Sequence, residues 1–111
     1  MTEVIDQKVR EPVTNRDEVL QRLRDHEADI RRFYAESLYL FGSAARDELR
    51  PDSDVDVFID YDMESPFSFV ELIRAGEYLK TLLGRPVDFG TRDGLHPKLR
   101  HEIEETAIRV F

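Results

Sequence analysis

Cysteine is absent from the 111 residues, so disulfides and thiolate metal sites are both unavailable. Positive charge is short as well: 16 lysines and arginines stand against 24 aspartates and glutamates, a formal net charge of −8. Domains that hold a nucleic-acid backbone usually carry a basic surplus, so direct nucleic-acid binding is not expected. A nucleotide substrate is not excluded, because a divalent cation can supply the missing positive charge. The histidines, His26, His96 and His101, are too scattered to read as a metal set and are expected on the surface. No apolar run approaches membrane-spanning length, and the opening MTEVIDQKVREP is too polar for a signal peptide. These absences predict a cytoplasmic protein that engages no membrane. Internal repeats and low-complexity tracts are missing too.

What is present suits one domain with a modest core, predicted over 14–111 behind an N-terminal arm, 1–13. The arm is polar with scattered Val4, Ile5 and Val9, and reads equally as a flexible segment or an edge strand. Thr14 three residues before Asp17 resembles a capping box with Asp in place of Glu. Val19, Leu20, Leu23, Ile30 and Phe33 then predict a helix over 15–34, broken near His26. The run 38–41 is apolar on both faces, as in a central strand. A short helix is predicted over 44–49, followed by a turn at Arg50-Pro51-Asp52-Ser53.

Val55, Val57 and Ile59 alternate with Asp54, Asp56 and Phe58, the period of a half-buried strand with acids on its other face. Ser65-Pro66 is expected to open a helix with Phe69, Leu72, Ile73, Leu79, Leu82 and Leu83 inward. Gly84 and Pro86 end it. Core packing is accordingly the expectation for Phe69, with a partner-binding edge at Phe67-Ser68-Phe69 as the alternative. Val87-Asp88-Phe89 reads as a third strand, and Pro97 suits the first turn of a helix over 97–106 with Leu99 and Ile103 inward. A last short strand over 108–111 completes an α/β (α+β) order.

The chemistry concentrates in 38–60, LYLFGSAARDELRPDSDVDVFID. A phosphate needs backbone N–H groups with no side chain in the way. Gly42 permits that approach, and Ser43 adds a hydroxyl at a helix start, where partial positive charge favours anions. Taken alone, Gly-Ser is more often a strand-ending turn. Residues i and i+2 of a strand share a face about 6.5 Å apart, so Asp54 and Asp56 can both ligate magnesium. Two such ions, about 3.5–4 Å apart, would activate an attacking hydroxyl and stabilise the α-phosphorus transition state. A lone Asp-x-Asp is more often a pair of solvated acids. Here, however, six acids crowd 52–64, and without a cation their repulsion opposes packing.

Asp60 shares the face of Asp56 but lies about 13 Å along the strand, too far to share a metal. Asp88 is the candidate third carboxylate, as ligand and as base for the incoming hydroxyl, provided that its strand neighbours that of Asp56. Arg46, one turn into the short helix, is a candidate phosphate contact. Arg50 reads as a surface cation. Ser53 either orients the metal site or caps its turn.

Jointly, Gly42-Ser43, a ten-residue spacer, Asp54-x-Asp56 and the later Val87-Asp88-Phe89 resemble the signature of the polymerase-β-like nucleotidyltransferase superfamily. Ser53-Asp54-x-Asp56, the Ala-Arg after Gly-Ser, and LLGRPVDFGT resemble its minimal branch, the MNT-type proteins of prokaryotes. The similarity runs from about Leu20 to the last residue. Asp47 departs from it, standing where many relatives have Gly and adding negative charge near the phosphate loop.

The resemblance implies a polymerase-β-like fold, a short mixed sheet flanked by helices, with Mg2+ as cofactor and ATP as nucleotide substrate. It also implies a partner, since members of this branch act as antitoxins that adenylylate a tyrosine of a HEPN ribonuclease toxin. Only 23 residues follow Asp88, too few for the acceptor domain of larger relatives, so the acceptor hydroxyl is expected on another molecule. An acidic protein suits a basic toxin. Two other expectations compete: neutralisation of the toxin by binding alone, and nucleotidyl transfer to a small-molecule hydroxyl.

Overall fold

The structure is a computed structural model and describes residues 10–111. The larger part of the predicted arm, residues 1–9, lies outside the described residues. The other end of that arm packs. Arg10 and Val13 donate their N–H groups to the carbonyls of Thr81 and Leu83 at 3.2 and 3.0 Å, and Val13 is fully buried.

Four strands form one mixed sheet in the order β3-β2-β1-β4. Strand β1 (Ala35–Phe41) runs antiparallel to both β2 (Val55–Tyr61) and β4 (Ile108–Arg109), whereas β2 and β3 (Val87–Thr91) are parallel. A parallel pair needs a long crossover, and helix α4 (Phe69–Leu83) supplies it. One sheet face carries Leu38, Leu40, Val55, Val57 and Ile59. These pack against Val19, Leu20 and Leu23 of α1 (Arg16–Asp25) and Leu79, Leu82 and Leu83 of α4 to make the core. The opposite face carries the acids.

The predicted first helix is two helices, broken at His26 as expected: α1, then the single turn α2 (Glu27–Arg31). Its cap sits one residue later than Thr14. Asn15 Oδ1 accepts the N–H of Glu18 at 2.9 Å, and Glu18 Oε1 accepts the N–H of Thr14 at 2.7 Å. The box closes because Glu18, one methylene longer than Asp17, reaches back over the first turn. The helix ends before 34, where Tyr34 takes φ +70°.

Helix α3 (Gly42–Ala45) is one turn long and begins two residues before the predicted 44–49. It stops because Asp47 is left-handed, with φ +59°. Helix α4 starts behind Ser68, not at Ser65-Pro66, where Ser65 instead bonds the carbonyl of Asp62 in a tight turn. Its buried stripe is Ala75, Leu79, Leu82 and Leu83. Phe69 and Ile73 precede Ala75 by six and two residues, spacings that do not return to the same helix face. They are 74% and 51% exposed, so Phe69 is not in the core. Phe67 packs instead, stacked on Tyr61 with ring centroids 4.3 Å apart.

Gly84 ends α4 as predicted, at φ +69°, and a Cβ there would strike the backbone of Arg10 and Pro12. Helix α5 (Pro97–Thr106) has the predicted bounds but no buried residue; Leu99 points out at 51% exposure, and only Arg100 and Ile103 are partly covered. Among the described residues no helix is long and apolar enough to cross a membrane.

Candidate active site

Strand alternation carries Asp54, Asp56, Phe58 and Asp60 to the face opposite the core. Strand β3 lies alongside in parallel, with Asp88 in register with Asp56. The two residues therefore share a face at the interstrand spacing of about 4.8 Å. On the other side of β2, Phe41 is the antiparallel partner of Asp56. The chain leaves β1 there and turns at Gly42, φ +70°, over the Asp56 carboxylate. A Cβ on Gly42 would collide with Asp56 Oδ2. Glycine is thus required by both dihedral and space. Gly42-Ser43, Asp54-x-Asp56 and Asp88, spread over 47 residues of sequence, meet in one place.

Asp56 is half-buried, and its carboxyl is pushed up to about 6, first by burial, then by the charges of Asp88 and Asp54. Arg46 opposes that rise. Three acids elsewhere on the fold are bonded: Asp47 accepts from the Arg16 N–H, Asp60 from Arg92 and Ser37, and Glu104 from Arg92. Among the described residues no donor bonds to the carboxylates of Asp54, Asp56 or Asp88. Carboxylates with no protein donor, one of them held back from ionising, match a hard divalent cation. Among the described residues no group of three or more acidic or histidine side chains is placed to hold a metal ion by itself. An open set suits magnesium, which takes one or two carboxylates and fills its remaining positions with water and substrate phosphate. Asp54 and Asp56 are the carboxylates that would hold it.

Ser43 follows Gly42 in the first turn of α3, whose leading amides have no partner within the helix. Arg46 bonds Glu48 at 2.8 Å, but both side chains are more than half exposed, a pairing worth little and easily exchanged for phosphate. Ser53 caps its turn, accepting the N–H of Arg50 at 3.0 Å. Asp47 does not face the phosphate loop: its Oδ1 accepts the N–H of Arg16 at 2.9 Å, at the start of α1. Its φ of +59° is the physical reason glycine suits that position. The three histidines are apart, as expected. His26 and His96 bond local backbone through Nδ1, and His101 pairs with Glu105 on the surface.

Two residues escaped the sequence reading. Arg85 is buried; it donates to the carbonyls of Arg50 (2.6 Å) and Val13 (3.2 Å), tying the turn before Asp54 to the body of the domain. Arg92 grips Asp60 with two 2.8 Å bonds, bonds Glu104 of α5 at 2.8 Å, and lies over the rings of Tyr39 and Phe58. No sequence signal marks either, because their partners lie 12 or more residues away or are backbone atoms. Arg92 seats α5 on the acid face, leaving an open groove of about 290 Å³ beside Asp88 that includes Phe41, Leu95 and His96. Arg92→Met should lower stability by about 1–2 kcal/mol, less than the loss of a fully buried pair because Asp60 remains one-third exposed. Arg92 and Ser37 hold the Asp60 carboxyl below its ordinary value, so this stability is present above pH ~4 and lost as pH falls. Urea titrations of both proteins at several pH values should converge in acid.

The Nucleotidyltransferase domain family matches residues 16–110. The chain belongs to that family and is a nucleotidyltransferase. Within it the chain is of the minimal, MntA-like kind, on a polymerase-β-like fold. Protein adenylyltransferase MntA of Thermococcus cleftensis is 38% identical over 94 residues, 84% of this chain and 89% of that one. A candidate protein adenylyltransferase of Methanocaldococcus jannaschii, MJ1217, is 38% identical over 95 residues, 84% of this chain and 95% of its own. Among solved structures, a candidate minimal nucleotidyltransferase superposes with TM-score 0.72 at 30% identity, covering 85% of this chain and 94% of its own. A toxin–antitoxin structure with AMP-PNP shares the fold at TM-score 0.61 and 18% identity, covering 87% of this chain and 73% of its own.

Proposed function

We infer that this nucleotidyltransferase moves AMP from ATP to a tyrosine hydroxyl of a HEPN toxin, and so acts as its antitoxin. The observation that carries the chemistry is the placement of Gly42 over Asp56, with Asp88 in register beside it. The choice of acceptor is supported by the MntA relative, itself named a protein adenylyltransferase, and by the resemblance to the minimal branch.

In this reading the amides after Gly42 and the Ser43 hydroxyl hold the triphosphate, with Arg46 leaving Glu48 to meet it. Asp54 and Asp56 hold Mg2+, and Asp88 completes the set. When bound, the metal supplies Lewis-acid neutralisation of the phosphates. Asp88 accepts the proton of the incoming hydroxyl; the tyrosine oxygen forms a bond to the α-phosphorus, and the bond to pyrophosphate breaks. Ser53 supports the strand by its turn rather than by contact with substrate.

The test is transfer of α-labelled AMP, with magnesium, to the purified product of the adjacent gene. Label on a tyrosine that vanishes with Asp54→Asn/Asp56→Asn supports the reading. A complex that blocks toxicity without label would make this an antitoxin that works by binding. Label retained by the double variant would remove both aspartates from the site.

A further inference from the structure

Strand β3 is the outer strand of the sheet among the described residues, and its free edge carries the exposed Asp88. Grooves open on both sides of that edge, and Asp88 and Phe89 line each of them. Beside one groove the first half of α4 holds out Phe69, Val70 and Ile73, exposed by 74%, 51% and 51%. In the other, Leu99 of α5 is 51% exposed. Scattered surface apolars need no explanation, but these flank one candidate catalytic carboxylate from two helices.

We propose that Phe69, Val70 and Ile73, with the free edge of β3 and Leu99, form the docking surface for the acceptor protein, a basic partner that brings its hydroxyl to Asp88. The proposal rests on the transfer reading above. Charge decides between occupants. The exposed ionised side chains about the stripe include Glu64, Glu77 and Asp88 against Arg74 and Lys80, on a chain of net charge −8. A second copy would set Asp88 near Asp88 and −8 against −8, whereas a basic partner is attracted on approach. Geometry favours the same occupant. The reaction needs a foreign hydroxyl at this edge, and an apolar stripe one groove away from Asp88 can anchor the protein that carries it.

The test uses Phe69→Glu/Ile73→Glu; both side chains stand in solvent, so the fold should hold. Affinity for the purified product of the adjacent gene is measured by titration, and AMP transfer as a function of its concentration. Binding of manganese with a non-hydrolysable ATP analogue to the chain alone serves as the fold and site control. The expected result is a Kd and a KM for the partner raised about tenfold or more, with kcat and analogue binding unchanged. Affinity should also fall with added salt.

Wild-type affinity in the variant overturns the proposal, even where transfer itself is confirmed. So does failure of the wild-type chain to bind the partner. Self-association of the wild-type chain that the variant abolishes, seen by sedimentation, would make a second copy the occupant and overturn it as well. Restored exposure-dependent labelling of the stripe on deleting residues 1–9 would do the same in favour of the chain's own N-terminus. Tight, Phe69-dependent binding without AMP transfer would uphold the surface and remove only the transfer reading.

Discussion

Asp56→Asn is expected to abolish AMP transfer while making the protein more stable at neutral pH. The two effects have one cause. Burial and the nearby charges of Asp88 and Asp54 push the Asp56 carboxyl from 3.8 up to about 6. Between those values the folded chain binds a proton that the unfolded chain has released. Stability from this group is therefore present below pH ~4, is lost as pH rises to about 6, and stays lost above. A shift of two units amounts to about 3 kcal/mol if fully expressed, but a half-exposed group is screened, and about 1 kcal/mol is the expected net.

The neutral amide removes the penalty at pH 7.5, raising Tm by roughly 4–8 °C in a domain of this size. Transfer should fall on the order of 10³-fold or more, as an anionic group in the reaction zone is lost. Melting curves at pH 4 and pH 7.5 check the sign: the gain should be present at the higher pH and small at the lower. A variant destabilised at pH 7.5 would mean that Asp56 is satisfied within the fold and is no open ligand.

Gly42→Ala carries the second large effect. The new Cβ meets Asp56 Oδ2, and an L-residue is strained at φ +70°. The left-handed strain alone costs about 1–2 kcal/mol. Relief of the collision moves either the loop or the carboxylate, and a displacement of about 1 Å at a reacting centre costs about 10²-fold in rate. The expected result is a loss of about 2 kcal/mol in urea and of at least that factor in transfer. The two contributions separate in an Asp56→Ala background, where the colliding carboxylate is gone and the dihedral strain remains beside a 3.3 Å approach of the Cβ of residue 56. Equal destabilisation in both backgrounds would show that the carboxylate and the glycine do not press on one another.

Asp56 and Asp60 illustrate how far local reading reaches. They share a strand face four residues apart, and the 2.0 period alone placed them there. Yet one carboxyl is raised and the other lowered, because Arg92 and Ser37 bond Asp60 whereas Asp56 faces Asp88 and Asp54. Apart from Asp54, two residues away, those neighbours come from β1, β3 and the turn after β3, which strand pairing alone brings near. Likewise, the apolar spacing in 69–83 announced a helix and its Gly84 stop, but not which face would be covered. That depended on how α4 rolls against the sheet, and the roll left Phe69 outside.

Sequence by itself determined the elements whose causes are local. These include the alternation of β2, the break at His26, the left-handed Gly84, and the presence of Gly42-Ser43, Asp54 and Asp56 in motif order. It also determined that no cysteine site exists. Tertiary structure alone decided the registry of Asp88 with Asp56, the closure of Gly42 over that carboxylate, the seating of α5 by Arg92 and the exposed stripe beside β3. Each depends on pairs of residues far apart in the chain, whose approach follows from burying one sheet face and cannot be read from neighbours in sequence.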